Sequence, residues 1–154
     1  MSKAVDSKLK QLLQRGGEVE PGQTLEAIMG PATERGLAWC VADCDKARSR
    51  SAVFRAIVKA VDFPEFFGNN FDALYDCLSD TLLDQKAGVV LVLDKLHSAD
   101  PGIVQDGHDF MQTLQDAVDF AQESGRVFIY AINHAGKHPE PVPGVVHNWS
   151  DSPE

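Results

Sequence analysis

Residues 88–93, Gly-Val-Val-Leu-Val-Leu, form an apolar run with no polar residue interposed. A half-exposed strand alternates apolar and polar side chains, so a short unbroken run rich in β-branched residues reads as a strand buried on both faces. Such a strand belongs inside a parallel sheet, whose strands must be joined by long, usually helical, crossovers. The chain supplies these parts in order. Gly36 to Ala42 reads as a first strand, and Lys46 to Val61 as a helix with Val53, Ile57 and Ala60 along one face, backed by Phe54, Val58 and Val61. A second helix begins near Asn70. A third runs from Asp106 to Ser124, with Phe110, Leu114, Ala117, Val118 and Ala121 facing a core and Gly125 closing it. Val127 to Ile132 is the last strand. The pattern β-α-α-β-α-β predicts an α/β fold: a three-stranded parallel sheet with helices packed on it.

Three sections follow from this. Residues 36–134 hold the sheet and its helices, residues 1–35 form an N-terminal helical extension, and residues 135–154 are a Pro- and Gly-rich tail that Trp149 would anchor if it folds back. In the extension, residues 4–14 place Leu9, Leu12 and Leu13 on one side of a helix stopped by Gly16-Gly17. Thr24 caps a one- or two-turn helix from Leu25 to Met29, closed by Gly30-Pro31. Because the central strand needs cover on both faces, the extension is expected on the sheet face or edge that the other helices leave open.

Charge narrows the partners. The 154 residues carry a net charge of −9, which argues against nucleic-acid backbone binding and is compatible with a basic protein partner. No apolar run reaches membrane-spanning length, and the start, Met-Ser-Lys-Ala-Val-Asp, lacks the apolar core of a signal peptide. With 3 cysteines and no CxxC pair, the reading is a cytoplasmic protein with reduced thiols and no membrane association, Cys77 being a small buried hydrophobe. Asp43 and Asp45 invite a metal but lack a third ligand, so they read as a turn and helix cap. His134 and His138 are split by Gly136 and followed by Pro139, and His97 and His108 read as solvated loop residues. There is no phosphate-binding glycine loop, nucleophile elbow or HExxH motif. No metal, cofactor or enzymatic chemistry is expected.

The stretch 63–80, Phe-Pro-Glu-Phe-Phe-Gly-Asn-Asn-Phe-Asp-Ala-Leu-Tyr-Asp-Cys-Leu-Ser-Asp, is the most distinctive. Asn69 or Asn70 can cap a helix whose core face is Phe71, Leu74, Leu78 and Leu82. Asp72, Asp76 and Asp80 form a ridge nearly opposite, with Tyr75 and Ser79 along its border. No Lys or Arg lies between Lys59 and Lys86 to neutralise it. The ridge is either a solvated acidic face or one that receives a cationic partner.

The run Pro64, Glu65, Phe66, Phe67, Gly68, Asn70, Asp72, Ala73, Leu74, Asp76, Cys77, Leu78 resembles the signature of the barstar family, intracellular inhibitors of secreted bacterial ribonucleases. The order of strands and helices extends the resemblance over about residues 36–133. It implies that Asp76 is the principal phosphate mimic and Asp72 the second cation-binding acid. By the same resemblance Phe66 and Phe67 stand where the family has tyrosines, Gly68, Asn70 and Phe71 form a close-approach edge, and Ser79 matches a threonine. Tyr75 replaces a tryptophan. Asp80 replaces a glycine and extends the ridge, and Phe120 replaces a glutamate contact, with Asp119 and Glu123 nearby. The implied function is an inhibitor that plugs the cationic active site of a cognate ribonuclease. The alternatives are a non-inhibitory interaction module, or an immunity protein to another toxin, on the same fold. An enzyme acting on a small cationic or metal-bound ligand would instead require a closed concave pocket around the acids.

Overall fold

The computed structural model describes residues 3–20, 23–63 and 70–136. Its elements are α1 (Lys3–Arg15), β1 (Gly17–Glu18), α2 (Leu25–Glu34), β2 (Ala38–Asp43), α3 (Arg50–Ala60), α4 (Phe71–Asp84), β3 (Gly88–Leu96), α5 (Gly107–Glu123) and β4 (Val127–His134), with a 3₁₀ turn over Val104–Asp106 before α5. All strands are parallel, in the order β1-β4-β3-β2.

The apolar run behaves as its composition requires. Successive side chains point to opposite faces, so Val89, Leu91 and Leu93 join one core and Val90 and Val92 another. On the first face α3, α4 and α5 contribute Phe54, Ile57, Leu74, Leu78, Phe110 and Leu114, together with Phe128 and Tyr130 of β4. On the second, Leu12 and Leu13 of α1 and Ile28 and Ala32 of α2 cover Ile129, Ala131, Val90 and Val92. The N-terminal helices therefore occupy the sheet face the others leave open. Leu13→Ala is expected to lower unfolding free energy by about 2 kcal/mol, near the low end for a buried leucine because 5% of it remains exposed. Urea unfolding at unchanged m-value checks this. A loss under about 0.5 kcal/mol, the size of an ordinary surface effect, would place α1 outside the cooperative unit.

Among the described residues the sheet has four strands, not three. β1 is only two residues long and leaves no periodicity to read. It exists because Gly16, at φ +77°, brings the chain so close to β4 that a Cβ would lie 2.3 Å from the Phe128 carbonyl oxygen. Gly17 then pairs with Ile129 and Glu18 with Tyr130, and the Val19 N–H donates to the Tyr130 carbonyl at 2.8 Å.

Other boundaries shift for local reasons. α2 does not stop at Gly30-Pro31. Pro31 removes one donor and crowds the preceding turn, but continuing the helix buries Ala32 completely, one turn on from the buried Ile28. It ends at Gly36, φ +81°, where the Gly36 N–H meets the Thr33 carbonyl and the Leu37 N–H the Ala32 carbonyl, a Schellman closure. β2 consequently begins at Ala38. α3 begins at Arg50 because Ser49 caps it, its hydroxyl accepting from the Ala52 N–H. Asp43 instead accepts from the Asp45 N–H in a local turn. β3 and β4 each run past their apolar segments, to Leu96 and His134.

Candidate partner-binding face

Asn70 sets the start of α4. In extended conformation, it accepts from the Ala73 N–H through Oδ1 at 2.8 Å. The next residue, Phe71, is half-buried and wedged edge-on between Phe54 and Phe110, with ring centroids 5.3 and 5.0 Å away. The Arg50 guanidinium lies 5.5 Å from its centre and pairs with Asp106 at 3.3 Å. Capping from the front and aromatic packing beneath thus hold the first turn of α4.

Rotation of the helix then separates its faces. Leu74, Cys77, Leu78 and Leu82 are buried, whereas Asp72, Asp76 and Asp80 are exposed. Among the described residues none of these three aspartates forms an ion pair. Asp72 benefits from the positive end of the helix dipole; Asp80, in the last turns, does not. Ser79 is 8% exposed and its hydroxyl donates to the Tyr75 and Asp76 carbonyls. It is turned into the protein and away from the ridge. Phe66, Phe67 and Gly68 lie outside the described residues.

Beside the ridge, α4 and α5 bound an open groove of about 320 Å³ lined by Phe71, Asp72, Tyr75, Thr113, Asp116, Asp119, Phe120 and Glu123. Tyr75 meets Phe120 edge-to-face at 6.2 Å, forming an aromatic floor. Partial desolvation, and then the charges of Asp116, Glu123, Asp76 and Asp119, push the Tyr75 phenol above its ordinary pKa. These acids were legible only in part: Asp119 and Glu123 stand out as neighbours of Phe120, while Asp116 does not. The missed signal is the spacing 116, 119, 123 (i, i+3, i+7), which puts all three on one helical stripe. Asp80 faces away from this groove. It borders a separate concavity of about 300 Å³ with Asp62, Phe63 and Asp84.

The helix's sulfur is structural. Burial, the largest effect, pushes the Cys77 thiol up to about 11 against a lowering by Thr81, with a smaller rise from the Asp80 charge, while burial with Asp43 and Asp94 pushes Cys44 up to about 12. Since the thiolate is the nucleophile, iodoacetamide at about pH 8 is expected to label these two only after unfolding. The folded state holds their protons more tightly than the unfolded chain, so stability is unaffected below the ordinary value of 9.0 and falls as pH rises above it. Rapid labelling of Cys44 or Cys77 in the native protein, located by peptide mass and distinguished from the half-exposed Cys40, would contradict their burial.

Among the described residues no group of three or more His, Cys, Asp or Glu side chains is arranged to hold a metal, and no helix is long and apolar enough to cross a membrane. His97 is not a solvated loop residue: its side chain is 12% exposed and bonded at both ring nitrogens. A family model described as Barstar (barnase inhibitor) matches residues 37–133. The match begins just before β2 and ends within β4, leaving α1, β1 and α2 outside it. None of the curated proteins compared with the chain matches it.

Proposed function

The chain belongs to the barstar family, and from that premise we propose that it inhibits a cognate bacterial ribonuclease by seating α4 in the enzyme's cationic cleft. The observation that carries this reading is an exposed carboxylate ridge, without cations of its own, on a helix braced from below. A ribonuclease cleft presents Arg, Lys and His to hold RNA phosphates. Carboxylates at fixed positions replace those phosphates, with charge-assisted and, where Arg is present, bidentate hydrogen bonds.

In this reading Asp76 takes the central phosphate position and Asp72 the neighbouring one, while Asn70 and Phe71 form the edge where the enzyme approaches most closely. Phe66, Phe67 and Gly68 precede them in the chain. Tyr75 and the α5 acids accept cations at the cleft's rim, and Asp80 extends the ridge on the other side. We assign binding to residues 36–134, with 1–35 as an extension that supports the sheet and 135–154 as a tail. The setting is the cytoplasm, and the protein acts as a binder without catalytic groups of its own.

The net charge of −9 adds long-range attraction toward a basic enzyme. The test is titration into a panel of small basic bacterial ribonucleases, following RNA cleavage. Stoichiometric inhibition of one of them is expected, with an association rate that falls at least tenfold between low and high salt as for a steered encounter. Binding without loss of cleavage would assign the fold to a non-inhibitory interaction instead.

A further inference from the structure

The C-terminal ends of β2, β3 and β4 converge in a polar cluster that shares no residue with the groove. There the β3–β4 pairing is interrupted between Leu93 and Leu96, and Lys95 adopts φ +55°. A bulge of this kind re-aims the following residues. Pairing resumes with Leu96 opposite His134, and the Ala135 N–H donates to the Leu96 carbonyl at 2.7 Å. His97 is thereby placed between two other chain segments. Its Nε2 lies 3.0 Å from Asp45 Oδ1, in the loop after β2, and its Nδ1 is bonded to the Gly136 carbonyl, just after β4.

Both partners are pure acceptors. A carbonyl and an ionised carboxylate have no proton to give, and a neutral imidazole carries only one N–H. Only the imidazolium satisfies both contacts at once. We propose that His97 is a protonation-dependent clasp: charged, it ties the backbone leaving β4 at Gly136 to the Asp45 loop, and neutral, it releases one of the two. The clasp thus governs the position of Gly136, the second residue after β4.

The charges facing the ring support closure. The Gly136 bond, then the Asp45 bond, and more weakly the charges of Asp100 and Asp45, hold the ring above its ordinary value of 6.5, with desolvation opposing them. Asp100 comes from the loop after β3 and is itself buried. Asp43, Asp94, Lys95 and His134 are other titratable groups at this end of the sheet. Asp94 is engaged by the Asn133 amide at 3.1 Å and His134 by Ser98 at 2.7 Å. Because the folded value is raised, the clasp is closed below 6.5 and opens as pH rises through the folded value.

The test is nitrogen-15 NMR of the full chain, recording the histidine ring nitrogens and the Ala135 and Gly136 amides against pH. Both ring nitrogens of His97 are expected to be protonated below its midpoint, and the Gly136 amide is expected to shift with that same midpoint. Asp45→Asn should move the midpoint down, and His97→Gln should abolish the pH-dependent step at Gly136 while leaving the fold intact. A singly protonated ring below 6.5, or a Gly136 step that survives His97→Gln, overturns the proposal.

Discussion

Asp76→Ala is expected to weaken the ribonuclease complex by about 3 kcal/mol, more than a hundredfold in Kd, with little change in the protein's own stability. The general range for truncating one partner of a buried charge pair is about 2–5 kcal/mol, and barnase–barstar, a complex of this same family, contributes to it. Most of the loss arises in the enzyme, whose cations are left desolvated and unpaired. Asp76 is exposed in the free protein and makes no ion pair among the described residues, so its removal leaves no gap in the fold. The asymmetry between binding and stability is the diagnostic part. Calorimetric titration against the inhibited ribonuclease gives the first quantity and urea unfolding the second. Glu26→Ala is the control: this exposed acid lies on α2, across the sheet from α4, and its loss should change Kd less than about threefold, within the usual effect of a surface site. Equal effects of the two substitutions would reduce the acidic face to general charge attraction.

Phe54→Ala is expected to act in the opposite way, costing about 3–5 kcal/mol of stability. Phe54 is fully buried and touches Phe71 and Phe110 edge-on. Truncating it leaves a cavity beneath the first turn of α4, so binding should also weaken through poorer positioning of Asp72 and Asp76. Set against a typical domain stability of about 5–15 kcal/mol, the loss brings the folded state close to its threshold at 37 °C. Phe54→Leu should recover more than half of it by restoring most of the volume. A stability loss below about 1 kcal/mol, the centre of the distribution for ordinary substitutions, would contradict the wedge by which the core holds the binding helix.

The fold was legible where burial writes itself into periodicity. The unbroken run at β3 announces a two-faced strand, and the same run foretells the cover that α1 and α2 supply. The two faces of α4 follow from helical spacing alone. What stayed hidden depends on contacts distant in sequence. β1 is a close approach permitted by Gly16, visible only once Phe128 is placed beside it. Pro31 carries a strong local stop signal that tertiary burial of Ala32 overrides. Phe71 sits on the apolar stripe of α4, yet its bracing joins two other helices, α3 through Phe54 and Arg50 and α5 through Phe110. Part of the acidic face was likewise concealed, Asp116 above all. The α5 stripe looks like an ordinary solvated surface until its packing on α4 turns Asp116, Asp119 and Glu123 toward Tyr75.

Competition with a bound nucleotide tests the central claim most directly. The inhibited ribonuclease is saturated with a non-cleavable nucleotide whose phosphate occupies the catalytic cations, and the affinity for this protein is measured with and without it. If α4 replaces those phosphates, the apparent Kd rises in proportion to nucleotide concentration and no ternary complex forms. An unchanged Kd, with protein and nucleotide held on the enzyme together, would mean that the cleft stays open and that the acidic face docks elsewhere.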